Sequence, residues 1–354
     1  MKTEFQEIQT VAKLITSLII TLFVMVMLIG TAVGILYVNP NFFSELAQTK
    51  ETAVAVNKVE KALQFWKAPD VSTIPFNSTG DEIRYGRELI VHTSIYLGPK
   101  GTVQSISNGM NCQNCHLEAG TRIFGNNYSA VASTYPKFRA RSGSEETIEK
   151  RVNDCFERSL NGKPLKEDSK EMKAIVAYIH WLGNEVPKGE VPKGAGLIEL
   201  PYLNRAADPI KGKIRYEEKC TVCHGNAGQG IMNQNHNEWT NPPLWGKNSY
   251  NEGAGLFRLS RFASYIKANM PLGATHESPL LTDEEAWDIA AHVNAMDRPK
   301  MNISKDWPDI SKKPIDHPFG PFADGFSEQE HKFGPYQPIV SKRREVSEKE
   351  IINQ

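Results

Sequence analysis

Apolar and polar positions along the chain fall into distinct regimes. From Leu14 to Val38 no charged residue occurs, and Leu, Ile, Val, Met and Phe fill most positions. A run of 25 residues, rising about 1.5 Å each, is long enough for a hydrocarbon core of about 30 Å. It is long for the apolar part of a cleaved leader, and Thr31-Ala32-Val33-Gly34 is a poor cleavage site. The run predicts an uncleaved membrane anchor, with Lys2 and Lys13 ahead of it favouring an N-terminus inside the cell.

Beyond the anchor the apolar period becomes that of packed helices. Val56, Val59, Leu63 and Trp66 predict a short helix over Thr49 to Lys67, followed after Pro69 by a polar loop. Two similar units come next. The first opens with a helix over Asp81 to Tyr96, carrying Tyr85, Leu89 and Ile90. It closes with a helix over Ser169 to Leu182, where Asp168 caps the first turn, Glu171 reaches back, and Met172, Ile175, Val176 and Ile179 form the apolar face. The second opens with Pro209 to Lys219, bearing Ile214 and Tyr216. It closes behind a Thr282/Glu285 capping box with Ala286, Ile289, Ala290 and Val293. No sustained period-two alternation occurs, so few strands are expected. The tail from about Lys300 has apolar patches at Phe319, Phe322, Phe326, Phe333 and Tyr336. It is expected to lie across the globular part until about Val340, with the last ten residues loose.

Charge adds an exclusion: 41 Lys and Arg balance 41 Asp and Glu. A neutral chain offers no basic stripe for nucleic acid, so any anion affinity must be local.

Cysteine usage names the chemistry. Four of the five cysteines form Cys112-Gln113-Asn114-Cys115-His116 and Cys220-Thr221-Val222-Cys223-His224. This spacing is the attachment signature of c-type haem: two thiols one turn apart meet the two vinyl groups, and the adjacent His offers a proximal ring nitrogen. A zinc site would need four ligands at paired spacing, and a thioredoxin-like pair would sit in a βαβ pattern that is absent here. Two covalently bound haems c are expected, held by Cys112, Cys115 and His116 and by Cys220, Cys223 and His224. Because haem c is attached outside the cytoplasm, residues 40–354 are expected on the periplasmic side of the inner membrane, on a single-pass anchor.

Each iron needs a ligand on its other face. In the second unit Met270, before Pro271 on a loop ahead of the closing helix, is the candidate. Met232, Met296, Lys267 and His276 are competitors. In the first unit no Met occupies the matching loop. Met110 and Met172 are available, but Cys155 stands alone among Arg139, Arg141, Arg151 and Arg158. Guanidinium groups would favour its thiolate, the form that binds metal, although a lone Cys is more commonly a buried free thiol. The same arginines suit a small oxoanion, unless they merely pair with Glu145, Glu146 and Glu149.

The expected fold class is all-α: two cytochrome c-like helical domains in tandem behind an N-terminal transmembrane helix. The boundaries are an anchor over 1–40, a spacer over 41–80, domains over 81–195 and 196–300, and a wrapping tail over 301–354.

Several stretches resemble the thiosulfate dehydrogenase / tetrathionate reductase family of dihaem c-type cytochromes. They are residues 111–120, with Leu117 and Gly120 after the first motif; 135–141, with Tyr135, Pro136, Arg139 and Arg141; 151–163, with Cys155-Phe156-Glu157-Arg158-Ser159; 171–178; and the tail runs 319–326 and 331–335. The resemblance covers roughly residues 80–340. It implies an active-site haem with His116 and Cys155 as axial ligands and an electron-transfer haem with His224 and Met270. Arg141, Arg151 and Ser159 would line the substrate site. The reaction implied joins two thiosulfates into tetrathionate with release of two electrons, some members favouring the reverse. The implied partners are thiosulfate, tetrathionate or another small sulfur oxoanion, and a redox partner such as a small cytochrome c or a membrane oxidase. The chain departs from soluble members by its anchor (residues 14–38) and spacer. A non-enzymatic, membrane-tethered electron-transfer cytochrome serving a respiratory complex is the alternative, and an oxidoreductase for sulfite or a thiol is a third reading.

Overall fold

The computed structural model describes residues 2–38 and 64–352. The chain divides into two compact units, residues 1–64 and 65–354. Among its described residues the first holds one helix, α1 (Lys2–Val38). Its segment Ala12–Thr31 is long and apolar enough to cross a membrane, and its Leu, Ile, Met and Phe side chains are exposed. The helix expected over Thr49 to Lys67 lies almost wholly outside the described residues.

The regular structure of the second unit is mostly helical, joined by long loops. Its longer helices are α2 (Ser78–Val91), α3 (Ile148–Asp154), α4 (Lys170–Leu182), α5 (Pro209–Lys219), α6 (Leu259–Asn269), α7 (Asp283–Ala295), α8 (Glu328–Phe333) and α9 (Gln337–Ile352). Two antiparallel hairpins complete it: β1 (Lys137–Arg139) with β2 (Ser144–Glu146), and β3 (Ile231–Met232) with β4 (Trp239–Asn241). Local signals explain most helix starts. Asn77 caps α2, Ser169 caps α4 by accepting from Met172 N–H, and Asp208 caps α5 ahead of Pro209. Thr282 and Glu285 form the expected reciprocal box on α7. Ser169 displaces the expected Asp168, because the cap oxygen must sit one residue before the first helical position.

In each half the opening and closing helices cross at a glycine. A Cβ on Gly86 of α2 would fall 1.9 Å from the Ala174 carbonyl oxygen of α4. A Cβ on Gly212 of α5 would fall 1.8 Å from the Asp288 carbonyl oxygen of α7. Only a hydrogen fits at either crossing. Around the first crossing Leu89, Ile90, Met172, Ile175, Ile179 and Leu182 are buried; around the second, Tyr216, Trp287, Ile289, Ala290 and Val293. Ile214, expected beside Tyr216, is exposed instead.

The halves exchange material. Tyr250, Ala254 and Phe257 pack into the first core, while Phe333, Tyr336 and Ile339 of the tail complete the second. Residues 65–77, within the expected spacer, dock on the first half: Trp66 N–H donates to the Lys193 carbonyl at 2.9 Å, and Ile74 is buried. Beyond the core residue Ile339, α9 continues as helix to Ile352.

Gly86→Ala and Gly212→Ala are each expected to destabilise the protein by about 1–3 kcal/mol through overpacking at a site without give. Thermal unfolding checks this, and unchanged melting of both variants would show that the crossings are looser than described.

Candidate functional site

The second motif grows directly from α5. Cys220 follows Lys219, and a single turn, Thr221–His224, presents Cys223 and His224. The His224 Nδ1 lies 2.9 Å from the Pro242 carbonyl oxygen. A carbonyl only accepts, so Nδ1 carries the proton and Nε2 is left to ligate. Burial holds His224 below the usual imidazole range, in the neutral form that binds metal.

A cavity of about 870 Å³ opens here, toward the upper end of ligand sites, which run to about 1,000 Å³. Cys220, Cys223, His224 and Met270 line it, with Leu244, Phe262, Ile266 and Val293 among its apolar walls. Two thiols, an imidazole and a thioether in one apolar cavity fit a haem c. Lys267 is tied instead to the Leu281 carbonyl and to Asp283, both at 2.7 Å. His276 sits between the rings of Phe65 and Phe124. Met232 and Met296 do not line this cavity, whereas Met110 does, from the first half.

The first motif occupies a 3-10 turn, Cys112–Asn114. Thr93 Oγ1, just past α2, accepts from Cys112 N–H at 3.0 Å. The His116 Nδ1 meets the Asn126 carbonyl at 2.5 Å, and its ring stacks on Tyr128 with centroids 4.5 Å apart. Burial pushes His116 down to about 4, so here too a neutral ring offers Nε2. Burial pushes Cys112 up to about 11 and Cys115 up to about 12, and the charge of Cys155 adds to both. Cys155 therefore belongs to the first motif's surroundings. Two thiols, a carbonyl-anchored imidazole and a third sulfur fit the donor set of a c-type haem with a thiolate ligand.

The β1–β2 hairpin leads into α3, capped by Thr147. At Asp154 the helix widens into a π turn over Cys155–Ser159, closed by Leu160 N–H donating to the Cys155 carbonyl at 2.9 Å. Such turns are rare and cluster at functional sites, because the extra residue re-aims the side chains that follow. Phe156 and Arg158 turn inward, while Cys155 and Ser159 stay half-buried. The Ser159 hydroxyl has no hydrogen-bond partner among the described residues.

The four arginines do not act alike on Cys155. Arg141 donates to Asp154 at 2.5 Å, beside Lys150 at 2.6 Å. Arg158 donates to both oxygens of Asp306. Arg139 lies 3.9 Å from the buried carboxylate of Glu146. Arg151 alone of the four makes no ion pair or side-chain hydrogen bond among the described residues. The charge of Cys155 raises its pKa, outweighing its burial. Sequence proximity thus overcounted the charges facing the sulfur: the acids sort them. Asp154 was missed in the sequence, although an acid four residues after Lys150 on a helix is the signal that could have found it. Nothing local to Arg158 pointed to Asp306.

The chain is similar to known cytochromes and sulfur-oxidising enzymes. Residues 103–187 match the family model described as SoxA/TsdA, cytochrome c domain. Residues 207–293 match that of cytochrome C oxidase, cbb3-type, subunit III. A thiosulfate dehydrogenase of Psychrobacter arcticus is 38% identical over 245 residues, covering 68% of this chain and 71% of the relative. One from Stutzerimonas stutzeri is 36% identical over 67% of this chain and 74% of its own. The solved thiosulfate dehydrogenase (TsdBA) from Marichromatium purpuratum, in its as-isolated form, superposes with a TM-score of 0.62 at 32% identity. That match covers 67% of this chain and 50% of the solved one, so the chain spans half the length of that protein. The chain belongs to the thiosulfate dehydrogenase family and is an oxidoreductase built from two cytochrome c domains.

Proposed function

We propose that the protein interconverts thiosulfate and tetrathionate while carrying two covalently bound haems c, one held by Cys112, Cys115, His116 and Cys155 and one by Cys220, Cys223, His224 and Met270. The observation that carries the reading is an unpaired guanidinium, Arg151, one helical turn before a lone sulfur, Cys155, beside the first haem-attachment motif. Bound haem supplies one-electron redox chemistry at each site.

The substrate chemistry defines what the chain must do. Joining two thiosulfates forms one sulfur–sulfur bond, releases two electrons and moves no proton. Two dianions repel by about 4 kcal/mol per pair of unit charges at 4 Å in a medium of effective dielectric about 20. The protein's task is to offset that repulsion with fixed positive charge, which is worth most where water is excluded. Arg151 is free to bind an oxoanion. Arg141, steadied by Asp154, adds a second guanidinium, and the Ser159 hydroxyl donates to a sulfonate oxygen. Cys155 holds its sulfur at the reacting end. Electrons leave to a soluble or membrane-bound acceptor.

The anchor α1 tethers this machinery to the inner membrane as a single span with the globular unit in the periplasm. Its length, its composition and its exposed apolar side chains support that reading.

Cys155→Gly is expected to lose turnover in both directions while both haems stay attached, as mass spectrometry and the visible spectrum would report. Full activity would refute the role. Arg151→Gln is expected to lower kcat/KM by about 10–100-fold, the worth of one charge-assisted contact. Absence of turnover in either direction by the wild-type protein would leave only an electron relay. The full chain is expected to stay in the membrane pellet after alkaline carbonate washing. A soluble product starting beyond Thr31 would show cleavage instead.

A further inference from the structure

The tail places a carboxylate inside the arginine cluster. Arg158 is 9% exposed, on the π turn that carries Cys155. Its guanidinium donates to both oxygens of Asp306 at 2.7 and 2.8 Å. Its Nε lies 4.0 Å from Asp154 and is buried without a hydrogen-bond partner. Arg158 thus stands between two acids, and Asp306 holds it by the bidentate contact. Asp154, in turn, is left to Arg141 and Lys150.

Neighbouring tail residues hold Asp306 in place. Trp307 N–H donates to the Arg141 carbonyl at 2.7 Å. A Cβ on Gly143 would fall 2.5 Å from the Pro308 ring. Trp307 itself adopts φ 61, a left-handed conformation that a bulky residue keeps only when its surroundings impose it. Three consecutive tail residues therefore grip the segments that bear Arg141 and Arg158.

We propose that Asp306 sets the oxoanion affinity of this site, holding Arg158 out of the substrate's reach so that Arg151 remains the one guanidinium there without an acid partner. The inference rests on the proposed function and deepens it. A site for two successive dianions must also let its product go, and binding that is uniformly tight does not speed the reaction. Without the Asp306 carboxylate, Arg158 turns to the acid it already faces, Asp154, and competes with Arg141 there. One more guanidinium charge is then left for an anion to neutralise. Binding tightens, and the geometry that serves turnover is lost.

The test is calorimetric titration of the fully oxidised, full-length holoprotein with tetrathionate, which cannot turn over without electrons, and with sulfate as an unreactive dianion. Asp306→Asn is expected to lower both dissociation constants by about tenfold, with kcat and KM falling together. Asp306→Glu is expected to keep wild-type values. A purely structural role would not tighten binding, so unchanged or weaker binding by Asp306→Asn overturns the proposal. If Asp306→Asn does not accumulate, Arg158→Gln makes the opposite change by leaving Asp306 uncompensated. It is expected to weaken sulfate binding by about tenfold, and an unchanged constant overturns the proposal. Tighter sulfate binding by Asp306→Asn in a protein that never turns over thiosulfate would sink the substrate assignment and keep this inference. Wild-type turnover with unaltered anion binding in the variants would do the reverse.

Discussion

Two helix crossings that admit only a hydrogen organise the globular unit. At Gly86 and Gly212 the backbone of one helix rests on a carbonyl of another, with no side chain between. Each haem-attachment motif hangs from such a crossing. α5 passes without a break into Cys220, and Thr93, just past α2, holds the Cys112 amide. The backbone carbonyl that orients each imidazole comes from further along the chain, at Asn126 and Pro242. The crossing sets where a motif sits, and the returning loop sets how its histidine points.

The halves resemble each other in plan but are not independent. Asn251 of the second half donates to the Glu157 carbonyl and to Asn161, bracketing the π turn of the first. Tyr265 reaches from α6 to the Asn114 carbonyl inside the first motif. Asn269 reaches the Phe124 carbonyl. The turn bearing Cys155 is therefore gripped by the second half and by the tail as well as by its own helix. Such grip from several directions is what holds a strained or unusual turn in one shape.

What was legible in the sequence was local. The Cys-x-x-Cys-His motifs, the Thr282/Glu285 box and the apolar faces of α4 and α7 each rest on residues a few positions apart. What was missed depended on distant partners or on one-residue offsets. Ser169 caps α4 where Asp168 was expected, because neighbouring polar residues compete for one position. The π turn has no compositional mark. The stretch after Pro69 is polar enough to pass for a linker, yet Ile74 finds a buried seat on the first half. The arginines around Cys155 looked alike in sequence, and only the folded positions of Asp154, Glu146 and Asp306 distinguish them.

The second core is finished by residues far along the chain from the Cys220–Cys223 motif it surrounds. Phe333, Tyr336 and Ile339 pack among α5, α6 and α7, and the buried His331, bonded to Asp324, anchors that segment. The half bearing Cys220 and Cys223 therefore cannot complete its core until the segment through Ile339 has joined it. Most of the first core, from Ile74 to Leu182, instead draws on residues close in sequence to its own motif, with Tyr250, Ala254 and Phe257 added from the second half. The reach of chain that each site needs to seal is thus written into the connectivity.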